Sequence, residues 1–229
     1  MMTQILLFSS VFLAIFVVEI FQKTKKNNIK LLLTFSGAFL LANITNHLIP
    51  EIFKHATNNN NNIGVFILLG FLFQILLEYF SEGIEHGHFH QKKAIPISIL
   101  ISLSIHAFIE GIPLSGHLAE HTHNGLLAAI IMHKLPVSIV LLTIFLENGT
   151  SKKKAYFYLL IFAAMAPLGL FTSQVFEGII AYNNEIMAIV IGILLHISTT
   201  IIFESSNNHK FTKSKIIAIC LGIIVGLFS

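Results

Sequence analysis

The sequence predicts an all-α integral membrane protein with eight transmembrane helices. Of the 229 residues, 55% are hydrophobic and 11% are charged, whereas a soluble domain carries about 25% charged residues. The mean hydropathy is +0.80, and a chain this apolar lacks the polar side chains that a water-facing surface requires. The apolar runs are continuous rather than alternating, which favours helices over the strands of a barrel.

Eight apolar stretches give the predicted helices, because about 20 helical residues cross a hydrocarbon core of about 30 Å. In order, they are Gln4–Phe21, Leu31–Ile49, Ile63–Tyr79, Ala94–Leu114, Gly125–Leu146, Ala155–Val175, Glu185–Phe203 and Ile216–Phe228. The first has no basic segment before it and no A-x-A cleavage site, so we expect a retained helix rather than a signal peptide. We expect residues 1–229 to form one transmembrane domain.

The lysines indicate how the chain is oriented. Twelve of the fourteen lysines fall in alternate loops, namely those after the first, third, fifth and seventh stretches. Lys54 lies on the opposite side, and Lys134 lies inside the fifth stretch. Because lysine-rich loops stay in the cytoplasm, we expect a protein of the cell (inner) membrane with both termini on the extracytoplasmic side. Lysines dispersed among short loops do not indicate a nucleic-acid partner.

Two ionisable residues share one face of the fourth stretch. His106 and Glu110 are four residues apart, so their side chains lie one above the other on a helix. Ionisable groups inside a bilayer are costly and mark functional sites by default. An imidazole beside a carboxylate suits a borderline divalent cation such as Zn²⁺.

Two further histidines lie near the same depth. Pro136 cannot donate a backbone hydrogen bond to the carbonyl of Met132, which frees a dipole beside His133 in the fifth stretch. At about 1.5 Å per residue, His106 lies about 18 Å from the inner edge, whereas His133 and His196 lie about 12 Å and about 16 Å from the outer edge. We therefore predict a midplane metal site whose ligands are His106, Glu110 and His133.

At these residues the sequence resembles the ZIP family of divalent metal transporters. That family carries His-Asn-x-Pro-Glu-Gly on its fourth helix and a His-Glu/Asp-x-Pro-Glu motif on its fifth. The fourth stretch here keeps His106, Glu110 and Gly111, and the fifth keeps His133 and Pro136. Further matches are residues 47–51 at the end of the second stretch, residues 166–169 in the sixth, and a histidine-rich loop after the third.

The resemblance covers the whole chain and implies eight helices, of which helices 2, 4, 5 and 7 line a metal pathway. His47 and Asn43 would then line the outer approach, and His196 the pathway toward the inside. A lone membrane histidine is more often a hydrogen-bonded packing residue, and that alternative stays open for His47 and His196. Three loop histidines would either capture metal weakly or simply be solvated; they are His86, His88 and His90.

The resemblance also implies a second metal position, which this sequence does not keep. Its ligand positions correspond here to Ala107, Lys134, Val137 and Ala166. A protonated lysine cannot bind a cation, so the resemblance implies a transporter of one metal at most. We predict that Lys134 is a tethered cation in place of the second metal, with Glu110 as its nearest candidate partner. The alternative is a lysine that snorkels away or packs in its neutral form.

The predicted function is transport of a divalent cation toward the cytoplasm without ATP, since no Gly-rich phosphate-binding loop is present. Zn²⁺ is the first candidate, and Fe²⁺ and Mn²⁺ stay open. We expect no enzymatic activity, no permanent cofactor, and the metal ion and the bilayer as partners; a homodimer is left open. Two alternatives remain: an intramembrane zinc-dependent hydrolase, although H-E-x-x-H is missing, and a sensor or degenerate relative that binds metal without transporting it.

Overall fold

The computed structural model of the protein describes residues 2–20, 26–54, 62–81, 97–115, 120–204 and 212–228. No strand occurs within these ranges, which confirms the predicted all-α class. A π-helical turn, Ile44–Leu48, joins α2 to α3, and a 3₁₀ turn, Ile112–Ser115, follows α5. The α-helices are α1 (Met2–Ile20), α2 (Lys26–Asn43), α3 (Ile49–Lys54), α4 (Ile63–Ser81), α5 (Ile97–Gly111), α6 (Glu120–Glu147), α7 (Lys152–Val175), α8 (Glu177–Ile180), α9 (Asn183–Glu204) and α10 (Lys213–Leu227).

Seven helical segments of the described residues are long and apolar enough to cross a membrane. They coincide with the first seven predicted stretches, so the chain is a multi-spanning integral membrane protein. The eighth stretch lies in α10, which has 15 residues. Such a helix is about 22 Å long, which is shorter than a hydrocarbon core of about 30 Å. The count of eight therefore stays a prediction.

Helices α6 and α9 form the centre of the bundle. In their spanning segments 72% and 67% of the residues are buried, compared with 22% in α1 and in α4. On α4, the residues Leu68, Leu72 and Leu76 are four apart, lie on one face and are more than half exposed. An exposed apolar face of this kind is suited to lipid contact. Residues that must avoid lipid are therefore best placed on α6, on α9 and on the helix faces that contact them.

Helix α5 is held against α7 by two glycines. A Cβ atom added at Gly111 would lie 2.0 Å from the carbonyl oxygen of Ala166, and one added at Gly169 would lie 2.0 Å from that of Phe108. Only glycine allows two backbones to approach this closely, as is common between membrane helices. The contact fixes the end of α5 that carries the predicted ligands.

A wider helical turn, which was not predicted, separates α2 from α3. The N–H of Ile49 donates to the carbonyl of Ile44, five residues earlier. The next residue is Pro50, which has no N–H and interrupts the helical hydrogen bonds at this point. Single π-turns of this kind are frequent at functional sites, and this one contains His47.

Candidate metal centre

Helix α5 presents His106 and Glu110 together toward the interior of the bundle. The Nε2 atom of His106 lies 2.9 Å from Oε1 of Glu110. The two residues are 2% and 1% exposed. The predicted i, i+4 pair is therefore formed, and it is shielded from both lipid and solvent.

Helix α6 adds His133 to this pair. The rings of His106 and His133 meet edge to face, with centroids 5.8 Å apart and an interplanar angle of 89°. One potential ligand atom from each of His106, Glu110 and His133 lies within 4.8 Å of the other two. Within the described ranges, no other three side chains of His, Cys, Asp or Glu come close enough together to hold a metal ion.

Two imidazoles and one carboxylate are a ligand set that zinc accepts. Tetrahedral zinc with bonds of about 2.0–2.2 Å places its ligand atoms about 3.4 Å apart. The pair on α5 is already slightly closer than this, and His133 would need to approach by no more than roughly 1.4 Å, within reach of a side-chain rotation. The fourth coordination position would be left for water or for a ligand on the pathway, as in open zinc sites.

The carbonyl beside His133 is already hydrogen-bonded. Helix α6 continues through Pro136 without a break, and the hydroxyl of Ser36 on α2 donates to the carbonyl of Met132 at 3.0 Å. A buried carbonyl released by proline needs such a partner. The carbonyl dipole expected beside His133 therefore takes part in a hydrogen bond that joins α2 to α6.

Lys134 is almost completely buried next to the same centre. Its side chain is 1% exposed, and Nζ lies 5.0 Å from the centre of the Phe162 ring on α7. Among the described residues Nζ has no hydrogen-bond partner, and no carboxylate oxygen lies within 4.0 Å. Glu110 is the opposite charge that acts on it from a greater distance. The direct pair with Glu110 that the sequence suggested is not formed.

The positions that correspond to a second metal ion by resemblance are buried and apolar. Ala107 and Ala166 are 0% exposed, and Val137 is 4% exposed. Ala107, Val137 and Phe162 belong to one hydrophobic cluster. None of these side chains carries a metal-binding atom, so the described residues of this region offer a cation no ligand in place of the missing ones.

Asn43 and His47 lie together at the beginning of α6. A Cβ atom added at Gly125 would lie 3.6 Å from Nδ2 of Asn43 and 3.8 Å from Cβ of His47. Asn43 is completely buried and His47 is partly buried. Gly125 precedes His133 by eight residues, or about 12 Å of helix, so these two side chains are separate from the converged group.

His196 forms a second pair, with Glu78 on α4. Its Nε2 lies 2.5 Å from Oε2 of Glu78, and its ring meets the Phe71 ring edge to face at 4.9 Å. Glu78 was not among the candidate site residues, because it lies near the end of an apolar stretch. A depth estimate could have found it, because Glu78 and His196 follow the first residues of α4 and α9 by about 22 Å and about 20 Å.

The three loop histidines predicted to capture metal fall outside the described residues. They are His86, His88 and His90. Their role therefore stays a prediction.

Comparison with known proteins gives one family. A family model described as ZIP Zinc transporter matches residues 83–229. The protein named zinc transporter ZIP9-B of Xenopus laevis is 28% identical over 120 residues, which are 49% of this chain and 39% of that protein. The protein named zinc transporter ZIP9 of Micropogonias undulatus is 27% identical over 114 residues, 46% of this chain and 36% of that protein. The aligned part thus spans well under half the length of these relatives.

Proposed function

The chain belongs to the ZIP family of zinc transporters, and from this premise we propose that it carries a divalent cation across the membrane toward the cytoplasm. The proposed ligands at the midplane are His106, Glu110 and His133. Because the family is one of transporters and not of enzymes, the alternative of an intramembrane hydrolase is not favoured.

The observation that carries the proposal is the convergence of three buried ligands from two helices. A carboxylate with two imidazoles supplies one negative charge and soft enough nitrogen donors for Zn²⁺, the first candidate. Fe²⁺ and Mn²⁺ accept the same donors, with a lower affinity expected from the general order of divalent metals. Burial removes competing water, so the charge of Glu110 acts strongly on a cation that reaches it.

The proposed pathway extends from the centre toward both membrane surfaces. Asn43 and His47, at the start of α6, would line the outer approach, and His196 with Glu78 would lie toward the inside. One contact supports the inner position, because Ser102 donates to the carbonyl of Leu77, the residue before Glu78, at 2.9 Å. Ser102 precedes His106 by four residues, or about 6 Å along α5 toward its predicted cytoplasmic end.

We propose that the site holds one ion, with Lys134 as a fixed positive charge in place of a second. Alternating access would come from helices rocking around the site, without ATP. The predicted orientation, with both termini extracytoplasmic and the lysine-rich loops in the cytoplasm, gives the inward direction in the cell membrane.

The test is uptake by the purified full chain in sealed liposomes, with Zn²⁺, Fe²⁺, Mn²⁺ and Mg²⁺ offered singly. The proposal predicts uptake of Zn²⁺ above protein-free liposomes and no uptake of Mg²⁺, a hard cation that prefers oxygen ligands. Zinc binding at the centre without any flux in either direction would contradict transport and favour the alternative of a sensor or degenerate relative.

A further inference from the structure

The ring of Phe162 covers the ammonium group of Lys134. Phe162 is 1% exposed and belongs to the hydrophobic cluster around Ala107 and Val137. The ring centre lies 5.0 Å from Nζ of Lys134, within the range of an attractive cation–π contact. The cluster holds other aromatic rings, among them Phe145, and the printed contact with this cation is made by Phe162.

A buried ammonium needs a compensating partner, and two kinds of group can serve this one. The first is the ring of Phe162. The second is the carboxylate of Glu110, which lies beside His106 at 2.9 Å and beyond ion-pair distance of Lys134. A lysine side chain is long and flexible, so a change of its rotamer would turn the ammonium from the ring toward the carboxylate. The observed arrangement keeps the two charges apart.

We propose that Phe162 is a positioning residue that holds Lys134 away from Glu110 and thereby keeps the carboxylate available to the metal. The proposal rests on the metal site of the proposed function. Without the ring, the ammonium would turn to Glu110, the nearest opposite charge. An incoming cation would then have to displace Lys134 from the carboxylate before binding, which lowers the apparent affinity.

The test is a double-mutant cycle on zinc affinity, measured with the full chain in detergent by competition against a zinc chelator. Binding at the centre is defined as the part that Glu110→Ala removes. Phe162→Leu, which replaces the ring with an aliphatic side chain, should weaken that binding by about threefold to thirtyfold. In a Lys134→Met background, which keeps an apolar chain of similar length without the charge, Phe162→Leu should change affinity by less than about twofold.

Phe145→Leu is the matched control. Phe145 is also 1% exposed in the same cluster, and its ring meets Tyr158 instead of a cation. Its replacement should leave zinc affinity unchanged in both backgrounds, with thermal unfolding confirming that each variant is folded. An equal loss from Phe162→Leu with and without Lys134, or no loss with Lys134 present, would overturn the positioning role. A wild-type chain without Glu110-dependent zinc binding would overturn the metal site itself.

Discussion

Two histidine–glutamate pairs in this protein have similar chemistry and different surroundings. His106 and Glu110 lie on one helix, 2.9 Å apart, with side chains 2% and 1% exposed. His196 and Glu78 lie on two helices, 2.5 Å apart, with side chains 11% and 18% exposed. The first pair is joined by His133. The second is in contact with Phe71 and with the hydroxyl of Thr200.

The difference in surroundings shows how a pair that could bind a metal ion is distinguished from a pair that only joins two helices. In both pairs the imidazole lies within ion-pair distance of the carboxylate, and such a partner offsets part of the cost of removing a charge from water. The first pair has a third metal-binding side chain whose ligand atom lies within 4.8 Å of both partners, and it has a buried lysine nearby. The second pair joins α4 to α9 and has no third ligand within the described ranges. Under the proposed function, the first pair would bind the metal and the second would have a supporting role on the pathway.

The largest expected effect separates the two pairs directly. Glu110→Ala, His106→Ala and His133→Ala should each reduce zinc uptake by more than about a hundredfold, since even outer-shell partners of metal sites change affinity by about 10–100-fold. Glu78→Ala should reduce uptake by no more than about tenfold, because no ligand of the centre is lost. Uptake into liposomes measures both, with monodisperse elution as the folding control. Wild-type rates in Glu110→Ala would contradict the assignment.

A smaller effect is expected from removing the charge beside the first pair. A bound dication and a buried ammonium repel each other, so Lys134→Ala and Lys134→Asp should both bind zinc more tightly, by about tenfold. The Asp variant should also bind a second ion, and turnover should slow if release becomes limiting. Equilibrium binding and uptake on the same preparations would show this. Unchanged zinc affinity in both variants would show that Lys134 has no influence on the metal site and only packs there.

The hydrogen bond that joins α2 to α6 next to His133 can be tested separately. Ser36→Ala leaves the buried carbonyl of Met132 without its partner, and we expect a loss of about 1–3 kcal/mol in the free energy of unfolding. Zinc affinity should fall only slightly, because His133 remains. Thermal unfolding in detergent measures the first quantity, with Ser9→Ala, an exposed serine on α1, as the control. Equal melting temperatures for Ser36→Ala and the wild type would contradict a stabilising role for this hydrogen bond.

The smallest effect is expected in a region separate from both pairs. Replacing His86, His88 and His90 together with alanine should change the apparent affinity for uptake by at most about threefold, because loop imidazoles can capture metal but do not form the membrane barrier. Concentration-dependent uptake measures this. Complete loss of flux at normal expression would show that the loop belongs to the pathway.

Parts of this arrangement could be predicted because they depend on local geometry. The spacing of His106 and Glu110 fixes a shared helix face, and the common depth of His106 and His133 follows from the rise of a helix. Seven of the eight spans predicted from the apolar stretches likewise coincide with helices long and apolar enough to cross a membrane. Each of these features follows from the sequence of one segment, alone or together with the thickness of the bilayer.

Other parts depend on which helices become neighbours, and one sequence does not contain that information. The pairing of Glu78 with His196 joins residues 118 positions apart. Lys134 could be placed near the centre from its position on α6, but the presence of Phe162 against it depends on how α7 packs. The bond from Ser36 to Met132 has the same origin. The π-turn at His47 has one local sign in the sequence, the proline at position 50 that interrupts the helical hydrogen bonds.

The most direct test of the central claim is the position of bound zinc in crystals of the full chain, measured by anomalous scattering at the zinc absorption edge. The account predicts one membrane-embedded peak, about 2.0–2.2 Å from a nitrogen of His106, a nitrogen of His133 and an oxygen of Glu110. No second peak should appear beside Lys134. A peak between His196 and Glu78 with none at the first pair would contradict the account, and so would two adjacent peaks sharing Glu110.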